Sequence, residues 1–305
     1  MISQLTALTS RNLKLYLRDK GAVFFSLLSM LIVIALMVFF LGNINIESIT
    51  HILEGFPGRD VAKDSENAKL LVLAWTCAGI LSINAVTVTL SVYSKNLITD
   101  RTSQILHSIY TAPISRTLIA ASYILSSWIA SLIICLGTLF ITEVYSISQG
   151  LAPFSFFTHI RLLGMIMINS FTYAALMYAA AYLIKSEGAW SGMGTVVGTL
   201  VGFLGGIYLP IGSLSEQIGK LMKCTPIIYG TSMFRKVMVD DILLKTFEGI
   251  PTEVIDSYKE VMGIDLFVGG KNVDMNLELL LLFLAGLLFL VMGILLLVKR
   301  SKADR

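Results

Sequence analysis

Six stretches of this chain carry no Asp, Glu, Lys, Arg or His: residues 22–41, 70–93, 118–142, 162–184, 189–210 and 279–298. Each reaches the roughly 20 residues a helix needs to cross the apolar core of a bilayer. Backbone groups find no water there, and a helix satisfies them within one segment. The runs predict an all-α integral membrane protein with six transmembrane helices. Composition agrees, with only 14% of the 305 residues charged, against about 25% in an average soluble domain. The first run exceeds the roughly 7–15 apolar residues of a signal peptide, and no small-x-small cleavage site follows, so it is expected to remain as a span.

The basic residues between the runs orient them. With a cytoplasmic N-terminus, the inner side holds Arg11, Lys14, Arg18, Lys20, Lys95, Arg101, Arg116, Lys185, Lys299, Arg300, Lys302 and Arg305. The two short outer loops hold Arg59, Lys63, Lys69 and Arg161. Both termini are expected in the cytoplasm of a multi-pass cell (plasma) membrane protein. The net charge of +3 reflects this basic inner edge and implies no nucleic-acid partner. Cys77 and Cys135 fall inside spans and Cys224 stands alone in the last outer segment, so no disulfide framework is expected.

No Asp, Glu, Lys, Arg or His lies within the six runs, whereas ion-coupled carriers place such groups at mid-depth; Tyr and Cys remain but seldom suffice. His51, His107 and His159 lie in or beside loops, and no HExxH or GxSxG pattern occurs. Gly269-Gly270-Lys271 lacks the rest of a phosphate-binding loop. The chain is therefore expected to be no enzyme and to hold no cofactor or metal. If it moves a solute uphill, the energy comes from another chain.

Between the runs, residues 1–20 read as an amphipathic helix, with Arg11, Lys14 and Arg18 on one face and Leu5, Leu8, Leu13, Leu15 and Leu17 supplying apolar surface. Such a helix lies along the inner leaflet with its basic face toward anionic headgroups, although a simple basic anchor would carry the same charges. Residues 42–69 and 143–161 read as outer loops, and 94–117 as an inner one. Residues 211–278 form a long outer segment with amphipathic helices near Leu214–Met222 and Thr231–Val239. The whole reads as one transmembrane domain, 1–305.

The inner loop contains DRTSQILHSIYTAPISR, Asp100 to Arg116. As a helix it places Ile105, Leu106, Ile109 and Tyr110 on one stripe, and Pro113 stops it before the third run. An amphipathic helix there rests on lipid or docks an apolar ridge into a partner's groove, and amphipathicity alone leaves both open.

This segment resembles the first cytoplasmic loop of type-2 ABC exporter permeases, in which an acidic-basic pair, an apolar helix and Thr-Pro-x-Ser-Arg follow one another. Here stand Asp100-Arg101, the stripe, and Ala112-Pro113-Ile114-Ser115-Arg116, with Ser103-Gln104-Ile105 in place of the family's Gly-Thr. Later features are also similar: Gly205-Gly206 and Leu209-Pro210 close the fifth run, and Pro226, Tyr229 and Arg235 follow in PIIYGTSMFR. The resemblance covers essentially the whole chain. It implies two permease subunits, identical or homologous, paired with two ATPase subunits that hold ATP and Mg. It further implies a coupling helix carrying Asp100, Arg101, Ile105, Leu106, Ile109, Tyr110, Pro113 and Arg116. Residues 1–20 would lie at the inner leaflet, and 189–222 would form a broken, partly re-entrant fifth span.

Gly194, Gly198, Gly202 and Gly206 stand at four-residue spacing in the fifth run. Small residues at that spacing make a groove that lets helices approach closely. Ordinary packing within the subunit and a face that moves or meets a second subunit both fit. Gly205-Gly206 ahead of Pro210 predicts a helix break. Asn84 and Thr87, with Ser82, Thr89 and Ser91, make the second run polar, and Asn169, Ser170 and Thr172 do so on the fourth. Interhelical hydrogen bonds are the first expectation and a pathway lining the second. A lining of small, mildly polar groups suits an amphipathic or hydrophobic substrate. The expected function is ATP-driven export of a drug or antimicrobial peptide. Export of a polysaccharide or lipid-linked polymer is the alternative, and a membrane scaffold or sensor with a partner-binding outer loop is the rival from another class.

Overall fold

The computed structural model describes residues 2–36, 42–184 and 186–303. The end of the first expected span (37–41) and Lys185, placed in the expected inner turn, lie outside the described residues. The helices are α1 (Ile2–Arg18), α2 (Lys20–Leu36), α3 (Gly42–Glu54), α4 (Val61–Tyr93), α5 (Thr99–Thr102), α6 (Ile105–Thr111), α7 (Arg116–Ser148), α8 (Phe156–Leu183) and α9 (Glu187–Leu204). After them come α10 (Glu216–Lys223), α11 (Pro226–Met238), α12 (Asp240–Thr246), α13 (Thr252–Val261) and α14 (Met275–Ala303). A π-helical turn, Ser94–Ile98, joins α4 to α5 without a break. Hydroxyl and carboxylate caps start the long helices. Asp60 accepts from the Ala62 and Lys63 amides, Ser115 from Leu118, and Ser155 from Thr158.

Among the described residues, four helical stretches are long and apolar enough to span a membrane: Val61–Thr102, α7, α8 and Met275–Leu297 of α14. A fifth is counted if α1 and α2, bent by 72°, form one broken span. The bend has a local cause, since Asp19 sits between the two helices and its carboxylate accepts from the Ala22 amide. Tyr16 and Ser26 hydroxyls then meet at 2.6 Å across it.

The fifth expected span, 189–210, is absent from that set. Its helix, α9, stops at Leu204, and its glycines dilute its hydropathy. The terminator is a Schellman motif. The Ile207 amide donates to the Gly202 carbonyl and the Gly206 amide to that of Phe203, both at 2.9 Å, while Gly206 has φ of 61°. That left-handed conformation strains any residue with a Cβ.

The span α4 is the hub. Its most apolar window is 94% buried inside the protein, against 17% for that of α14. Helices α2, α3, α7, α8 and α11 all pack on it. Residues 42–69 are not simply a loop, as the sequence reading had them. They hold α3 and the first turns of α4, because Asn45, Ile49 and Leu53 recur every four residues and bury one helical face.

Helices α10 to α13 and a hairpin, β1 (Leu266–Val268) with β2 (Lys271–Val273), cap the α3 end of the bundle. Gly269 and Gly270, both at positive φ, make the hairpin turn. Helices α14 and α8 also approach closely: a Cβ on Gly286 or Gly293 of α14 would come within 2.8 Å of Phe171 and 2.6 Å of Tyr178 on α8.

Candidate coupling site

The opposite end of the bundle carries the segment from Asp100 to Arg116. It is not the single helix expected. Helix α5 ends at Thr102, Gln104 takes a left-handed φ of 64°, and only Ile105–Thr111 is helical again. Such a conformation costs a residue with a Cβ about 1–2 kcal/mol, so the turn is held by what surrounds it. Pro113 is exposed in the short link to α7. The Arg116 guanidinium lies 5.0 Å from the Tyr110 ring centroid.

Asp100 and Arg101 anchor this turn in different directions. The Asp100 carboxylate is buried and receives both Arg11 nitrogens, Nη1 at 2.6 Å and Nη2 at 2.7 Å. The Tyr123 hydroxyl of α7 donates to the same carboxylate at 2.6 Å. Charge-assisted, bidentate geometry of this kind is among the stronger side-chain interactions. Arg101 instead donates to the Ala181 and Ile184 carbonyls at 2.7 Å each, where α8 ends. Two neighbouring residues thus tie α5 to α1, α7 and α8.

Arg11 therefore does not face headgroups as expected; Lys14 and Arg18 are exposed and Arg11 turns inward. Thr9, Asn12 and Tyr16 form the buried face of α1, while Leu15 and Leu17 point outward. That inversion suits a helix whose outer neighbour is lipid. Leu106 is also turned inward: it is buried in the main core, with Ile109 and Tyr110 packed beside it. Of the expected docking stripe only Ile105 is exposed, together with His107, Ser108 and Thr111.

The remaining expected residues do not form one site. Asn84 donates to the Thr138 hydroxyl at 2.6 Å and joins α4 to α7. Thr87 bonds the Asn84 carbonyl at 3.1 Å within its own helix. The four in-phase glycines have four different surroundings. Gly194 faces Leu90 of α4, Gly198 has open space, Gly202 lies under the Tyr208 ring, and Gly206 ends the helix. Pro210 precedes a 3-10 turn, Ile211–Ser213. Sequence reasoning missed Tyr123, which joins Asp100 only through the fold. It also missed Gly286 and Gly293, whose seven-residue spacing was the available signal.

At the capped end, Arg235 of α11 is fully buried with no carboxylate in ion-pair reach among the described residues. Its guanidinium stacks 3.9 Å from the Trp75 ring centroid. It donates to the Gly206 carbonyl at 2.8 Å and to that of Met262 at 3.1 Å. Burial pulls its pKa down to about 9, which leaves it charged at neutral pH. Trp75 Nε1 donates to the same Met262 carbonyl at 2.9 Å. Arg235 thus joins the helix break at Gly206 to the cap and the hub.

Long apolar helices around a buried hub, with polar anchors at each end, define a multi-pass membrane protein. Comparison with protein families matches residues 43–295 to the ABC-2 family transporter proteins. The chain belongs to that family, whose members are the membrane subunits of ABC transporters and associate with ATPase components. Among curated proteins none matches it.

Proposed function

We propose that the chain is the export permease of an ATP-driven transporter and that the α5–α6 turn receives the ATPase stroke. The observation behind this reading is the Asp100 junction. A push on α6 passes through Asp100 into α1 and α7, through Arg101 into α8, and along the unbroken Val61–Thr102 stretch into the hub. The exposed face of α6, with Ile105, His107, Ser108 and Thr111, meets the ATPase. Two ATPase subunits hold ATP and Mg. Both termini are cytoplasmic, as the basic residues favour. A second permease, identical or homologous, covers the exposed face of α9 around Gly198. The substrate is amphipathic or hydrophobic, a drug or an antimicrobial peptide, and it leaves the cell.

The test is Asp100→Asn in the assembled transporter. The amide keeps the shape but cannot accept both Arg11 nitrogens. ATPase subunits are expected to copurify normally and to hydrolyse ATP, while substrate efflux falls at least tenfold. Wild-type efflux from this variant would remove the junction from the mechanism.

A further inference from the structure

A cavity of about 400 Å³ opens between α2, α3, α4 and α7, near the capped end of the bundle. That volume lies within the roughly 300–1,000 Å³ of small-molecule sites. Its lining follows α4 from Glu66 to Ile80, about 21 Å at the rise of about 1.5 Å per residue. The cavity is thus long and narrow, with room for a chain rather than a stack of rings.

Its polarity is graded along that length. Glu66 and Lys69 stand at one end, both exposed, and neither is in an ion pair among the described residues. Deeper, Leu73, Ile80, Ile34 and Ile141 dominate the walls, and the hydroxyls of Thr76 and Thr142 are bonded back to carbonyls of their own helices. The charged end lies just outside the uncharged run that starts at Leu70, and the apolar end lies within it. A bilayer lipid has the same gradient, running in the same direction. The two opposite charges on adjoining helical turns match a headgroup carrying a phosphate and an ammonium.

We infer that this cavity binds one phospholipid of the leaflet at the capped end, with an acyl chain along Leu73 and Ile80, the phosphate at Lys69 and a primary ammonium at Glu66. Phosphatidylethanolamine fits best, because its ammonium can donate hydrogen bonds to Glu66, as a choline cannot. The inference is independent of the coupling reading, since lipid retention can be measured without ATPase or transport.

The experiment is native mass spectrometry of the full chain in detergent, titrated with phosphatidylethanolamine, phosphatidylcholine or phosphatidylglycerol of the same acyl chains. One molecule of phosphatidylethanolamine per chain is expected to outlast the others. Lys69→Gln should weaken its binding about tenfold, the worth of one charge-assisted bond. Glu66→Gln should remove the preference over phosphatidylcholine, and Leu73→Trp, which fills the tail slot, should abolish retention. Glu66 and Lys69 are solvent-exposed, so their variants are expected to fold. Equal retention of all three lipids, or unchanged retention in Lys69→Gln and Leu73→Trp, would overturn the inference. Loss of a dimer rather than of lipid in Leu73→Trp would overturn it too, by making the cavity an interface.

Discussion

Two buried charges at opposite ends of the bundle, Asp100 and Arg235, are held differently. At the α6 end, Asp100 shares a bidentate ion pair with Arg11, whose side chain keeps 31% of its exposure. At the capped end, Arg235 has no exposure and takes its partners from backbone carbonyls and an indole face. If the Asp100 pair opens, water can take over the half-exposed Arg11 side, while the buried carboxylate keeps the Tyr123 hydroxyl as a donor. The Arg235 guanidinium cannot leave without stranding the Gly206 carbonyl, so in the proposed cycle the capped end would serve as the stator and the α6 end as the moving part.

Removing the stator should have the largest effect. Arg235→Ala strips the Gly206 carbonyl of its donor, leaves Met262 with the Trp75 donor alone, and opens a hole beside Trp75. The expected loss is on the order of 3–5 kcal/mol, since each stranded buried group costs about 1–3 kcal/mol and the cavity adds to it. Thermal unfolding in detergent would register it as a much lower midpoint. A midpoint close to wild type would erase the difference between the ends.

At the moving end, Leu106→Asp and Ile105→Asp should diverge. Leu106 is 7% exposed and Ile105 42%. A carboxylate at 106 is buried in the core at a cost of several kcal/mol and should lower membrane abundance. The same change at 105 should leave abundance alone and weaken ATPase copurification. Equal abundance of the two variants would mean that α6 is not seated on the core.

The glycines give the smallest effect and the finest distinction. Gly202→Leu must displace Tyr208, whose ring lies 2.4 Å from a built Cβ, and overpacking typically costs about 1–3 kcal/mol. Gly198 has nothing within 4 Å, so Gly198→Leu should leave the subunit's stability unchanged. If α9 meets a second permease, crosslinking between subunits should fall in Gly198→Leu. Unchanged crosslinking and efflux would leave that face to lipid.

Much of the architecture was legible from charge-free runs. α7, α8 and α14 are spans because apolar length is a local property, and so is the helix stop at Gly205-Gly206. The chain's own segment order also carried the family. Less of the candidate site was legible. The sequence marked Asp100 and Arg101 as a pair worth attention, but their partners Arg11, Tyr123 and the α8 carbonyls come from distant segments. Periodicity found the stripe Leu106–Ile109–Tyr110 and could not say which way it faces, because lipid, partner and core all accept an apolar ridge.

By itself, then, the sequence determined that the chain is a helical membrane protein, where most spans run, and where α9 ends. The tertiary structure decided what those elements face. It turned Arg11 from headgroup to Asp100, Leu106 from partner to core, and four evenly spaced glycines into four unrelated environments. The physical reason is range. Helix formation and membrane partition depend on neighbours within a few residues. A buried charge is stable only where the whole fold converges on it, as α1, α5 and α7 converge on Asp100.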